Sequence, residues 1–229
     1  MAVAIASCGS NATEAGDAQE AATGSEAAVT YTVDSTSLVT WKGSKVFEVG
    51  EHAGTINISE GSLSVENGNI TAGNFTIDMN TLACTDDMPE DKIGYLIGHL
   101  RGEEFFLVDS FPTAKFEVSG CEAKDYWKSK NAILLSPDHR PMGENTHVLS
   151  GNLTMKDVTK NISFPIKVVT SETGITASGT VTINRLDWNV MYDKDEIDMM
   201  STVDGWEAKV KNGVVGKDVE IKIEISASK

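Results

Sequence analysis

The stretch KIGYLIGHLRGEEFFLVDSFPTAKFEV, residues 92–118, contains the clearest helical pattern in the chain and leads directly into a strand. Four apolar side chains recur at the i, i+3, i+4 and i+7 spacing that places them on one face of a helix. They are Ile93, Leu96, Ile97 and Leu100. Ala114, Phe116 and Val118 then alternate with polar residues, as in a half-buried strand. The stretch therefore predicts one helix, followed by the apolar run 105–108 and then by a strand of a β scaffold.

Most of the remaining chain from residue 29 onward consists of segments with one apolar and one polar face. In the last of them Val219, Ile221, Ile223 and Ile225 alternate with charged neighbours. About eight such strands joined by short turns predict a closed antiparallel barrel, because closure removes exposed strand edges. The predicted fold is an all-β, eight-stranded antiparallel barrel with one short helical segment near an opening.

The net charge of −15 over 229 residues constrains the partners of the protein. Nucleic acids and anionic membrane surfaces select basic patches, so neither is an expected partner. No apolar run reaches the roughly 18–20 residues that a membrane-spanning helix needs. The length fits one domain, since β barrels often extend to about 200–250 residues as a single unit.

Residues 1–28 are predicted to precede the folded domain, which is predicted to span residues 29–229. Ile5-Ala6-Ser7-Cys8 resembles a bacterial lipobox, whose cysteine is lipidated after signal cleavage, but no charged segment precedes it and an accidental match is the alternative. Residues 9–28 are rich in small residues and lack large apolar side chains, so they predict an unfolded tether. This order predicts an exported lipoprotein, periplasmic or at the outer membrane or cell surface of a bacterium, anchored through Cys8.

Cys84 and Cys121 remain as one pair. In an exported protein such a pair suggests a disulfide, and each cysteine follows the end of a predicted strand. Two isolated thiols are the alternative. Neither cysteine belongs to a CxxC motif, so a zinc or redox centre is not predicted.

No constellation of residues predicts catalysis or a resident metal. The histidines at 52, 99, 139 and 147 lack metal-ligand spacing, and the chain has no nucleophile elbow, phosphate-binding loop or dinucleotide motif. The acidic cluster at 193–198 lacks the ordered Asp-x-Asp-x-Asp-Gly pattern of a calcium loop. The chain is therefore predicted not to be an enzyme and to need no metal or cofactor.

Two regions remain as candidates for function. A small closed barrel is either packed by its own side chains or holds one ligand, and small residues in mid-strand, Gly151, Ala177 and Gly179, favour space for a ligand. Residues 121–146 show no sustained period and are long for a structureless connector, which predicts a functional loop or a local insertion.

Seven segments in collinear order carry a family resemblance: 31–34, 39–42, 98–106, 111–116, 149–159, 183–190 and 219–225. Together they resemble the YceI-like family of polyisoprenoid-binding, lipocalin-like periplasmic proteins. The resemblance implies a lipocalin-like barrel with a helix near one opening, a hydrophobic tunnel for a long isoprenoid or other lipid, export from the cytoplasm and often a homodimer. Two features depart from the family pattern: Leu96-Ile97-Gly98 replaces an Arg-Asp pair of many relatives, and the 121–146 insertion is long.

The lipid, isoprenoid or quinone-like, is predicted to place its tail among apolar residues of the barrel and helix. These are Trp41, Phe75, Ile77, Met79, Leu100, Phe105, Phe106, Phe116, Leu153, Phe164, Ile183 and Trp188. His99, Arg101 and Arg185 are predicted either to contact a polar headgroup at an opening or to hold the helix to the barrel.

The predicted function is non-catalytic binding of this lipid for transport or storage. The alternative is a surface-anchored interaction module with a packed barrel that binds its partner through residues 121–146. An enzyme ranks third.

Overall fold

The computed structural model describes residues 12–44, 50–103, 105–123, 144–192 and 215–229, and it shows a β barrel with one α-helix beside it. The strands are β1 (Gly16–Asp17), β2 (Val29–Val33), β3 (Leu38–Ser44), β4 (Glu51–Glu66), β5 (Asn69–Cys84), β6 (Thr113–Ala123), β7 (His147–Met155), β8 (Val158–Thr170), β9 (Gly174–Asn184) and β10 (Asp218–Ser228). The helices are α1 (Glu90–Arg101) and a short 3₁₀ helix (Arg185–Trp188).

Eight strands, β3 to β10, form the closed wall of the barrel. Each pairs antiparallel with the next along the chain, and β10 returns to pair with β3, where Ile223 lies opposite Val39. β2 continues the line of β3, because it pairs with the same two neighbours, β4 and β10. The predicted eight-stranded antiparallel barrel with one short helix is confirmed.

The helix α1 lies beside β5 at the end of the barrel that contains the start of β6 and the turn between β7 and β8. Glu90 and Asp91 in its first turn and Arg101 in its last turn suit the helix dipole. Its predicted apolar stripe, Ile93, Leu96, Ile97 and Leu100, is half-buried. The end of the barrel next to α1 is called the helix end below.

Residues 12–28 form an extended segment, called the strap below, that begins between β8 and β9 and then crosses the outer face of the barrel wall. The Thr13 N–H donates to the Thr182 carbonyl of β9, and Gly16 and Asp17 pair with Asn161 and Lys160 of β8. The strap then continues over three further strands.

Each of these later crossings has its own hydrogen bond. On β7, the Asn152 side chain accepts from the Gln19 N–H at 3.0 Å and donates to the Gln19 carbonyl at 2.7 Å. On β6, the Val118 carbonyl accepts from the Ala22 N–H at 2.8 Å, and Ser25 Oγ donates to Glu66 at the end of β4. The prediction of an unfolded tether is therefore wrong for residues 12–28, since backbone hydrogen bonds hold this segment without large apolar side chains.

The barrel wall contains a seam between β8 and β9. The two strands pair from Thr170 and Ile175 to Ile166 and Gly179, and the ladder ends there. The Ile166 carbonyl accepts a hydrogen bond from the β7 side, so the next residue, Pro165, faces β9. Because proline has no N–H to donate, it ends the ladder at this position. The strap lies in the seam that opens beyond it.

The predicted disulfide between Cys84 and Cys121 is wrong, because both thiols are free. Cys84 is the last residue of β5, at the helix end, whereas Cys121 lies near the opposite end of the antiparallel β6. Sequence alone did not reveal this register. The predicted irregular loop also begins later than residue 121, since Cys121–Ala123 still pair with β7.

Candidate functional site

The barrel contains two apolar cavities, one above the other along its axis. The inner cavity has a volume of about 80 Å³, and Phe75, Phe116 and Phe164 lie in its wall. The helix-side cavity has a volume of about 140 Å³, and its wall includes Trp41 and Phe105. Almost all of the lining of both cavities is carbon, so both suit the apolar part of a ligand.

Five residues belong to the walls of both cavities and lie between them: Val39, Ile77, Leu153, Ile183 and Ile221. They come from five different strands, β3, β5, β7, β9 and β10, so they surround the barrel axis. These aliphatic side chains, called the partition below, are all that the walls share.

Three aromatic rings fill much of the inner end of the barrel. The Phe116 ring lies 6.3 Å from the Phe75 ring and 6.2 Å from the Phe164 ring, centroid to centroid. A Cβ atom at Gly151 would overlap the Phe116 ring, and one at Gly179 would crowd Ile166. The space left by these two glycines is therefore occupied by neighbouring side chains and not by the cavity, contrary to prediction; of the three small residues, only Ala177 lines the cavity.

Phe105 forms part of the wall of the helix-side cavity. Its ring stacks on Tyr192 with the centroids 5.2 Å apart, and the Arg185 guanidinium lies 5.8 Å from its centroid. Its carbonyl accepts a 2.8 Å hydrogen bond from Lys156 Nζ, which also donates to the Asn189 carbonyl at 2.8 Å. Burial lowers the pKa of Lys156. This lysine thus ties the loop after α1 to the β7–β8 turn and to the end of the 3₁₀ helix.

The structure brings together eleven of the twelve residues predicted to surround a lipid tail. Phe75, Phe116 and Phe164 line the inner cavity, and Ile77, Leu153 and Ile183 form part of the partition. The helix-side cavity is lined by Trp41, Met79, Leu100, Phe105 and Phe106. Trp188 lines neither: it is fully buried in the wall and donates from Nε1 to the Leu153 carbonyl. Whether these residues contact a ligand stays a prediction.

The three predicted polar residues separate into different roles. Arg185 is buried, donates to the backbone carbonyls of Val190, Val215 and Gly216, and also lines the helix-side cavity. Arg101 donates to Asn80 on β5 over long distances of 3.4 Å, which holds the end of α1 to the barrel. The His99 ring contacts Tyr95 on the helix surface and lines neither cavity.

Sequence reasoning missed much of the cavity wall. Ile58, Leu63, Ile162, Val181 and Ile223 line the inner cavity but were not predicted as site residues. The alternation of apolar and polar residues along each strand could have found them, because every inward position of a narrow barrel faces the same interior.

Polar groups outside the barrel do not form an obvious reactive centre. Among the described residues, no three His, Cys, Asp or Glu side chains are arranged to hold a metal ion. Burial raises the pKa of the Cys121 thiol to about 12 and also raises that of Cys84, which makes both poor nucleophiles at neutral pH. Asp86 contacts His52 at 2.6 Å and accepts from the Ala53 N–H, a pairing that fixes the segment leading into α1.

Several predictions fall on residues outside the described ranges. These are lipidation of Cys8, the acidic cluster at 193–198 and the part of the 121–146 loop between 124 and 143. Within the described chain, no helix has the length and apolarity needed to cross a bilayer.

The chain belongs to the YceI-like family, whose domain model matches residues 18–227. Its fold is similar to the crystal structure of BcnA from Burkholderia cenocepacia, with 18% identity, a TM-score of 0.53 and coverage of 85% of this chain and 100% of that one. It is also similar to a polyisoprenoid-binding domain from Saccharophagus degradans implicated in plant cell wall breakdown, with 15% identity, a TM-score of 0.51 and coverage of 86% and 97%. None of the curated proteins matches the sequence.

Proposed function

We propose that the protein binds the tail of an isoprenoid or similar long-chain lipid inside the barrel without catalysing its conversion. The observation that carries this proposal is the pair of stacked apolar cavities, separated only by the aliphatic partition. Membership of the YceI-like family and the fold shared with a polyisoprenoid-binding domain support the same ligand class.

The cavity volumes set the expected length of the buried tail. A cavity of about 150 Å³ lined by aliphatic and aromatic residues holds one benzene molecule. Each cavity here is of this size or smaller, so the open space takes about one five-carbon isoprene unit per cavity. A longer tail has to displace partition side chains such as Leu153 and Ile77. Burial of one unit is worth roughly 3–4 kcal/mol at about 0.8 kcal/mol per carbon, before ordering costs.

The polar end of the lipid is proposed to face the helix end. Arg185 belongs to the wall of the helix-side cavity, as does Trp41, whose buried Nε1 donates to no acceptor within the described residues. A ligand with an acceptor oxygen, such as a quinone or a prenyl phosphate, matches these two donors. The inner cavity offers no comparable polar group and is left for the tail.

The proposed location is outside the cytoplasm. Proteins of this family are generally periplasmic. We propose export and anchoring through lipid on Cys8, with transport or storage of the lipid as the role. Association into a homodimer and an interaction role for the 121–146 loop stay predictions.

The test uses prenyl alcohols of two, three and four isoprene units with wild-type protein and with Ala177→Ile. Ala177 is buried and lines the inner cavity, so isoleucine fills the space that the tail needs. The matched control is Ser178→Ile, the next residue of β9, which lies on the other face of the strand.

Affinity measured by tryptophan fluorescence should rise from two to three units in the wild type and fall at least tenfold in Ala177→Ile but not in Ser178→Ile. Wild-type protein that binds none of the alcohols, or Ala177→Ile that binds them as tightly as wild type, would refute the site.

A further inference from the structure

The strap occupies a place that a wall strand would occupy in a fully paired barrel. If the β8–β9 ladder continued beyond Ile166 and Gly179, Ile162 would lie opposite Ile183. Instead, Thr13 bonds to β9 and Gly16 and Asp17 pair with β8, so the strap lies between the two strands. Since paired strands lie about 4.8 Å apart, the seam without the strap is a gap of roughly 10 Å.

The seam leads directly to the apolar interior. Ile162 on its β8 side lines the inner cavity, and Ile183 on its β9 side belongs to the partition. Val181, also on the β9 side, lines the inner cavity. The strap therefore covers this part of the inner cavity along the seam. The 3₁₀ helix lies against β8 at the helix end of the same seam.

The strap is bound in a way that suits detachment. It contributes small side chains, with Thr13 buried and Ala15 packed against the core, and no large apolar group. Its attachment consists mainly of hydrogen bonds, and both partners of each bond can bond to water once the strap leaves the seam. The hydroxyl of Thr13 is buried and has no hydrogen-bond partner in the described chain, which makes the docked state less favourable.

The barrel nevertheless holds a specific receptor for this segment. Asn152 and Asn161, on the outer face of β7 and β8, are both buried beneath the strap. Asn161 Nδ2 donates to Asn152 Oδ1 at 3.0 Å and to Ser119 Oγ at 2.9 Å, which orients the Asn152 amide toward the backbone of Gln19. A side-chain amide that both accepts from and donates to one backbone residue copies the pairing of a neighbouring strand.

We propose that the seam between β8 and β9 is a docking site for an extended peptide strand, occupied by the strap, and that lipids enter and leave the barrel through the seam when the strap detaches. This inference rests on the proposed function, since it assigns the route to the same interior. Cys8 lies five residues before Thr13, so a lipid anchor there stays within about 18 Å of the seam. The membrane that holds this anchor would then face the seam through which the lipid enters.

The experiment locks the strap in place with a disulfide. Asp17→Cys and Lys160→Cys lie directly opposite each other on β1 and β8, within reach of a disulfide. They are introduced into the full chain with Cys8→Ala, Cys84→Ser and Cys121→Ala. The matched control joins β9 to β10 through Thr180→Cys and Lys222→Cys, a pair in a continuous part of the wall.

The readout is the rate at which the protein binds farnesol, the prenyl alcohol of three isoprene units. Stopped-flow tryptophan fluorescence measures this rate. Oxidation of the strap-locked protein should slow association at least tenfold and leave the equilibrium Kd within twofold, with full recovery after reduction, whereas the control should not change. Normal binding with an unchanged rate in the locked protein would overturn the seam as the route while leaving the proposed function intact. Absence of binding in the wild type overturns both.

A second pair of variants loosens the strap. Gln19→Pro removes the N–H that donates to Asn152, whereas Glu20→Pro alters the neighbouring exposed residue. Gln19→Pro should speed farnesol association severalfold and increase hydrogen exchange at Thr13 and Ala22, and Glu20→Pro should do neither. Equal rates in the two variants and wild type would contradict the proposal.

Discussion

The helix α1 and the strap both pack against the barrel wall, and they are held there by opposite means. None of the twelve residues of α1, all of which the structure describes, is fully buried, although the helix carries a clear apolar stripe. The strap has no large apolar side chain, yet it buries Thr13 and bonds to four wall strands through its backbone. Apolar content therefore does not measure how firmly a segment is attached to a barrel, because strand edges and side-chain amides bind backbone directly.

The largest effect is expected from Asn152→Leu, which keeps the size of the side chain and removes its amide. The change deletes both bonds to Gln19 and the acceptor of Asn161. At about 1 kcal/mol net for each lost bond, the free energy of unfolding should fall by about 3 kcal/mol. Urea unfolding followed by circular dichroism measures this change. Asn57→Leu, the same change at an exposed position of β4, is the control; equal losses in both variants would show that the strap adds nothing.

A smaller loss of stability is expected from Leu100→Ala, which changes the helix α1 and leaves the strap intact. Leu100 is half-buried against the core and lines the helix-side cavity. Since a fully buried leucine contributes about 1.5–3 kcal/mol, its loss should cost about 1.5 kcal/mol or less. The same urea titration provides the value. A loss larger than that of Asn152→Leu would reverse the comparison between strap and helix.

A pH-dependent effect is expected where the chain leads into α1. Burial raises the pKa of Asp86, but the hydrogen bonds from His52 and the Ala53 N–H lower it, and the net value lies below the ordinary 3.8. A carboxyl whose pKa is lowered on folding stabilises the protein above its unfolded pKa and loses this contribution as the pH falls through the folded value.

Wild-type protein should therefore be more stable than Asp86→Asn at pH 6, and the difference should shrink below pH 4. Unfolding curves at several pH values test this expectation. A difference that stays constant down to pH 2.5 would exclude the carboxylate as its cause.

The smallest effect is expected from Tyr95→Ser on the outer face of α1. Tyr95 is 72% exposed and its ring touches His99 on the same helix. Surface substitutions of this kind usually stay within about 0.5 kcal/mol. Stability and farnesol affinity should both match the wild type. A loss of affinity would instead make the exposed helix face part of the binding site.

The barrel, the helix and part of the cavity wall could be predicted, because side-chain periodicity reports directly which face of an element is apolar. The stripe of α1 and the inward residues of β10 are examples. The strap could not be predicted, since its attachment depends on main-chain groups and on Asn152, which resembles any polar residue on the outer face of a strand. The predicted disulfide between Cys84 and Cys121 was wrong for a related reason. Distance along a sequence does not specify the register of two antiparallel strands.

The strap also imposes an order on folding. Gln19 finds its partner 133 residues later in the chain, and Thr13 finds its partner on β9. Contacts between residues so distant in sequence form slowly, because closing the long loop between them costs chain entropy. The strap precedes every wall strand in the chain, yet it reaches its native position only after β7, β8 and β9 have assembled. Until the strap docks, the edges of β8 and β9 along the seam stay open to pairing with other chains, which is an aggregation risk that the finished barrel does not carry.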